Sequence, residues 1–165
     1  MIDGKALMGA NAIGGEWGHN HLPWMTPDEQ PGLSCSCGLA GCIETFLSGT
    51  GFARHHKAVS SITLTPREIA ARSASGDAVC GESLSRYENQ LARALASVIN
   101  LIDPEIIVLG GGVSNIERLY ETVPRLWSHW VYSYRVDTKL VPPTHGDSSG
   151  VRGAAWLWPD GYLPP

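Results

Sequence analysis

Apolar residues return every three or four positions through the middle of the chain, at Leu84, Tyr87, Leu91, Leu95, Val98 and Ile102. That spacing lines one stripe of a helix, and it predicts a helix from near Ala78 to Leu101. Upstream, Thr65 is followed by Pro66, Arg67 and Glu68. These supply an N-cap, a first-turn proline and a capping-box acid, so a shorter helix is expected to run to about Ser73. Asp103-Pro104 ends the long helix. The run Ile106-Ile107-Val108-Leu109 that follows, set between Glu105 and Gly110, is suited to a buried strand flanked by helices. Gly110, Gly111 and Gly112 break that strand, and Ser114 is placed to cap a further helix through about Leu126. Residues 136–141 suggest another strand, a last helix is expected from near Ser149 through Trp158, and residues 161–165 should fray.

Before residue 60 the pattern is irregular and rich in Gly, Pro and His. Residues 20–34 contain Pro23, Pro27 and Pro31 and no sustained period, and read as a surface loop. A helix is expected from Ile43 to about Val59, with Ile43, Phe46 and Leu47 on one side and Gly49 and Gly51 weakening or bending it. Residues 2–9 resemble a hairpin around Asp3-Gly4 whose first arm is nearly absent, which suggests that the chain opens inside an element.

Composition narrows the functional classes. The 165 residues carry 12 Lys+Arg against 16 Asp+Glu, a formal charge of −4, with 43% hydrophobic and 17% charged residues. One core of reasonable size can form, and disorder is excluded. With an isoelectric point near 5.8 and no Lys/Arg run, a nucleic-acid or anionic-membrane surface is not the main function. The start does not read as a signal peptide and no apolar run reaches the length of a membrane span, so a cytoplasmic location is expected.

In a reducing compartment, clustered cysteines point to metal. Cys35, Cys37 and Cys42 offer three thiolates within eight residues, and Gly38 and Gly41 let the backbone close around one centre. With one imidazole, from His19 or His21, they would complete a closed tetrahedral zinc site that is structural and does not activate water. Glu16 and His19 lie three residues apart between glycines, and Glu44 follows the last thiol by two. If the loop folds around zinc, these polar groups can converge on paired hydroxyls, as in a sugar; the alternative is that Glu16 and Glu44 are solvated. Gly110 to Ser114 permits close approach of a phosphate or nucleotide edge, or is a tight turn with no ligand. His55 and His56 read as a solvated helix face and Cys80 as a buried small side chain. His129, Trp127, Trp130, Tyr132 and Tyr134 read as a core edge or subunit interface. His145 is left open between a loop and a pocket.

GANAIGGEWGH, followed by CSCGLAGCIE and DPEIIVLGGGVS, resembles the ROK (repressor, open reading frame, kinase) sugar kinases, in particular their fructokinase/mannokinase branch. The resemblance implies an α/β lobe of the ribonuclease H-like (actin/hexokinase-type ATPase) class, with a zinc-binding subdomain over about residues 16–48. It implies zinc on His19, Cys35, Cys37 and Cys42, a sugar site lined by Glu16, His19 and Glu44, and an adenine nucleotide beside Gly110, Gly111, Gly112 and Val113. ATP with Mg²⁺ would be co-substrate and a hexose, fructose first, the acceptor; a homodimer is the default. The family also places an Asp-x-Gly phosphate loop, an Asn-Asp pair holding the general base and a Gly-Thr-Gly segment upstream of this region. The chain is therefore expected to be the C-terminal lobe alone and inactive by itself. The alternatives are the sugar-sensing lobe of a ROK-type repressor, or a non-catalytic zinc-stabilised sugar-binding or dimerisation module.

Overall fold

The computed structural model describes Leu7 and residues 9–155. The hairpin expected over residues 2–9, and the last helix beyond residue 155, lie outside or largely outside the described residues. The helices are α1 (Ile43–Leu47), α2 (Gly49–Ser60), α3 (Pro66–Ala74), α4 (Ala78–Ile102), α5 (Leu119–Trp127) and α6 (Ser149–Ala155). The strands β1 (Ile106–Val108) and β2 (Lys139–Val141) pair in parallel, with Ile107 opposite Leu140, and α5 lies on the crossover between them.

The strongest helix signals hold. Asp77 accepts from the Cys80 N–H at 3.0 Å and starts α4, and the reciprocal Thr65–Glu68 bonds start α3. The buried face of α4, with Leu84, Tyr87, Leu91, Leu95 and Ile99, forms the centre of the core against α3 and α5. Cys80 is buried there as expected, and Trp127 closes the core from α5.

Four local expectations change. The helix read over 43–59 is two helices, because Ser48 adopts an extended conformation and its hydroxyl accepts from the Gly51 N–H at 3.0 Å, capping α2. A side chain at Gly51 would overlap the Thr45 carbonyl, so the close packing of the two helices requires glycine there. Ser114 caps no long helix: it sits in a 3₁₀ turn, Gly112–Asn115, and α5 begins only at Leu119. Its hydroxyl donates instead to the Gly111 carbonyl at 2.7 Å. β1 is not buried. Ile106 and Val108 are 48% and 58% exposed, because among the described residues only β2 pairs with β1 and no layer covers that side. Finally, Trp130 packs on Trp24 with the rings tilted 31° and centroids 5.1 Å apart, while Tyr132, Tyr134 and His129 are exposed, which sets aside the core-edge reading for those three and leaves the subunit-interface one.

The paired histidines are also not a solvated face. His56 is 1% exposed with Nδ1 2.9 Å from Ser83 Oγ, and His55 stacks on Phe46 with ring centroids 4.8 Å apart. Both turn inward because α2 packs along α4. Burial, helped by Arg86 and Arg54, holds the His55 imidazole below the ordinary histidine range. The unfolded chain then takes up the proton first. This contribution to stability is intact above about pH 6.5 and is lost as pH falls toward the folded value. From about pH 7 to 5 the wild type is expected to lose stability faster than His55→Gln, by up to about 1.4 kcal/mol per pH unit. Urea midpoints measured across that range check this, and parallel profiles would refute it.

Candidate functional site

The knot is built by two short backbone ladders. Leu22 donates to Gly41 and Ile43 to Asn20, at 2.9 and 2.8 Å, which seats residues 20–22 beside 41–43. Cys35 donates to Leu39 and Gly41 to Leu33, at 2.8 and 3.1 Å, closing a tight hairpin around Gly38. Gly41 has φ +76°, and a Cβ there would lie 2.7 Å from His21 Nε2 and 2.9 Å from the Pro31 carbonyl. Glycine is required at that position for both reasons. The 3₁₀ turn Trp17–His19 packs at Gly18 against Glu44, at the start of α1.

These ladders bring one atom each from His19, Cys35, Cys37 and Cys42 within 4.8 Å of one another. Cys37 Sγ lies 3.6 Å from Cys42 Sγ, and His19 Nδ1 lies 3.5 Å from Cys35 Sγ. A tetrahedral zinc ion with Zn–S near 2.3 Å and Zn–N near 2.0 Å sets ligand-to-ligand edges of about 3.5–3.8 Å, so the donor set fits that ion in type and the Cys37–Cys42 and His19–Cys35 edges match its spacing. Of the two histidines left open by sequence, His19 joins the group and His21 does not. Burial, then crowding by Cys37 and Cys35, pushes the Cys42 thiol up to about 12. The Leu39 N–H and the neighbouring sulfurs draw Cys37 the other way. A cation would favour the thiolate at all three.

Around the imidazole the two predicted carboxylates take opposite nitrogens. Glu16 Oε2 is 3.6 Å from His19 Nε2, and Glu44 Oε1 is 3.9 Å from Nδ1 and 3.0 Å from Cys35 Sγ. The bond to Cys35 and the two carboxylates raise the His19 pKa. With Nδ1 turned to the thiols, Nε2 is the nitrogen left to carry the proton outward. The result is an open wall with a donor flanked by two acceptors. Neither glutamate is buried.

The glycine turn forms at the carboxyl end of β1. Gly111 has φ +72°, and a Cβ at Gly110, Gly111 or Gly112 would meet nothing within 4 Å. Tyr120 fixes the turn by donating to the Ser114 carbonyl at 2.7 Å. A Cβ on Gly49 would lie 3.8 Å from Val113 Cγ1, so the start of α2 borders the turn. A Gly-Thr-Gly tripeptide does occur in this chain, at residues 49–51, contrary to the expectation that the chain holds none. Sequence reading also missed Glu29, Gln90 and Arg93. Arg93 and Glu29 form a buried ion pair, and Gln90 donates to Glu29 at 2.9 Å. Arg93 and Gln90 lie off the apolar stripe of α4, on the side that the loop of residues 23–29 covers, so the period carried no signal for them.

The ROK family model matches residues 1–161, and the chain belongs to the ROK family. It is 37% identical over 161 residues to an N-acetyl-D-glucosamine kinase of Photobacterium profundum, a match covering 95% of this chain and 53% of that relative. The chain thus spans about half the length of the curated relatives it matches. Among solved structures, a ROK hexokinase from Thermus thermophilus superposes with a TM-score of 0.75 at 27% identity, covering 92% of this chain and 49% of that one. A ROK family transcriptional regulator, a homologue of the E. coli MLC protein, superposes with a TM-score of 0.69 at 27% identity, over 86% of this chain and 37% of that one. The α/β content agrees with the actin/hexokinase-like fold of the sugar kinases. Among the described residues no helix is long and apolar enough to cross a membrane.

Proposed function

We propose that this chain is the sugar-orienting and adenosine-side half of an ATP-dependent hexose kinase. The observation that carries the reading is the wall of Glu16, His19 and Glu44 built on a four-ligand knot. Glu16 and Glu44 would accept from sugar hydroxyls, and the His19 Nε2–H would donate to one. Zinc on His19, Cys35, Cys37 and Cys42 would hold the wall in shape. The open turn Gly110–Val113 would take the adenosine side of ATP, with Mg²⁺ supplying charge neutralisation at the phosphates. The Asp that removes the hydroxyl proton is assigned to the half of the relatives that this chain does not span.

Fructose was the first expectation for the hexose. The curated relative reported above is, by name, an N-acetyl-D-glucosamine kinase, so N-acetyl-D-glucosamine is the first substrate to test and fructose the second. Titration of the zinc-loaded chain with each sugar is expected to show saturable binding. A folded chain holding one zinc that binds no hexose would refute the proposal, and so would phosphorylation of sugar by this chain alone under controls excluding contamination. The regulator neighbour supports a second reading, a sugar-sensing lobe. A helix-turn-helix encoded upstream would favour it, and an Asp-x-Gly loop with an Asn-Asp pair would favour the kinase. A homodimer belongs to the same proposal, and light scattering at twice the 17.7 kDa chain mass checks it.

A further inference from the structure

We infer that Arg93 is a positioning residue for the metal knot, holding from α4 the connection that joins the ligand His19 to the ligand Cys35. Arg93 is 1% exposed and its guanidinium serves one loop at three points. Nη1 donates to the carbonyls of Pro23 and Trp24, and Nη2 donates to the Glu29 carboxylate. Glu29 is buried in turn, accepting from Gln90 Nε2 and from the Thr26 N–H, both at 2.9 Å. The middle of an otherwise irregular loop is thereby fixed to the longest helix of the fold.

From that anchor the constraint reaches the sulfurs by contact. Just beyond Glu29, Gly32 is packed so closely on Gly41 that a Cβ would lie 2.6 Å from its Cα and 3.2 Å from Phe46. The Pro31 carbonyl also abuts Gly41, the residue beside Cys42 and the end of the hairpin that carries Cys35 and Cys37. A loop left free between two ligands must lose its entropy when the metal binds, whereas a loop already held by Arg93 has lost it on folding. A guanidinium suits this role because its planar fork presents donors to the two carbonyls and the carboxylate from separate nitrogens, whereas an ammonium must reach all three from one atom.

This inference rests on the zinc reading proposed above, and the experiment separates the two. Zinc content of the wild-type chain is measured first, then the rate of zinc transfer to the chromophoric chelator 4-(2-pyridylazo)resorcinol well below the melting temperature. Arg93→Met combined with Glu29→Gln removes the tether without stranding a charge, and is expected to release zinc about tenfold faster. Arg93→Lys keeps the charge beside Glu29 and is expected to fall between the two, a partial rescue. Glu88→Gln cuts a second ion pair on α4, between the buried Glu88 and the half-exposed Arg118, and is expected to lower the melting temperature while leaving zinc release at the wild-type rate. Tether variants that release zinc at the wild-type rate, or acceleration by Glu88→Gln equal to theirs, would overturn the inference while the zinc reading stands. A folded wild-type chain without zinc would overturn both.

Discussion

If His19, Cys35, Cys37 and Cys42 hold zinc as proposed, removing it with a chelator is expected to lower the melting temperature of the chain by roughly 10 °C, and Cys42→Ser is expected to do the same with no chelator present. A site saturated a thousandfold above its dissociation constant contributes about 4 kcal/mol, and for a chain of this size each kcal/mol moves the midpoint by about 2–4 °C. Cys42 is the most sensitive ligand to change. It is buried, its backbone is bridged to His21, and it immediately precedes α1, which carries Glu44. Serine fits the space but replaces a soft thiolate with a poor zinc ligand. Cys80→Ser is the matched control, since Cys80 is buried in α4 outside the four-ligand group and its loss should leave one zinc per chain. Calorimetry with elemental analysis reads both quantities, and a midpoint indifferent to chelator and to Cys42→Ser would remove the metal from the account.

What could be read without coordinates was what short-range physics determines. The stripe on α4, the Thr65–Glu68 box of α3 and the crowding of three cysteines are patterns within one or two turns of chain, and each appears in the structure. Where the outcome depended on residues far apart, the sequence was mute. His56 looked solvated because its partner Ser83 is on another helix. Arg93 and Glu29 are 64 positions apart, and Arg118 and Glu88 are 30 apart. A period of three to four identifies one apolar face, but Arg93 lies about 200° around α4 from Leu91, and the period says nothing of what covers that other side. β1 failed for the complementary reason. Its β-branched composition matches a covered strand, and the covering is not among the described residues.

The buried pairs also explain how one helix serves both halves of the proposed chemistry. Arg93 draws the loop of the knot onto α4, while Glu88 holds Arg118, which lies between the glycine turn and α5. The two carboxylates nevertheless differ. Burial acts to raise Glu29, but hydrogen bonds from Arg93, Gln90 and the Thr26 N–H outweigh it and hold the carboxyl below its ordinary range. At Glu88 burial wins over Arg118, whose guanidinium remains half exposed, and the carboxyl is pushed up. Glu29 therefore supports the ionised pair that the knot depends on, whereas the Glu88 pair is the looser of the two and the better control.

If the wall is the sugar site, Glu44→Gln is expected to weaken hexose binding by about 10- to 100-fold while leaving zinc content and the fold unchanged. Hydrogen bonds to a charged group contribute about 1.5–3 kcal/mol, and each 1.4 kcal/mol is tenfold in affinity. Glutamine keeps the length of the side chain and its contact with the 3₁₀ turn at Gly18, but it replaces one of two acceptor oxygens with a donor, so a hydroxyl that donated there meets an N–H instead. Glu44 is outside the four-ligand group but 3.0 Å from Cys35 Sγ, so the zinc content of the variant, measured beside its sugar affinity, separates a sugar defect from a metal defect. Glu68→Gln supplies the comparison, because that carboxylate is spent on the Thr65 cap of α3 and should affect stability but not sugar. Calorimetric titration of both variants with N-acetyl-D-glucosamine, and of each with an ATP analogue, distinguishes the cases. Loss confined to the sugar and to Glu44→Gln fits a hydroxyl-reading carboxylate, and wild-type sugar affinity in that variant would leave the wall without its acceptor.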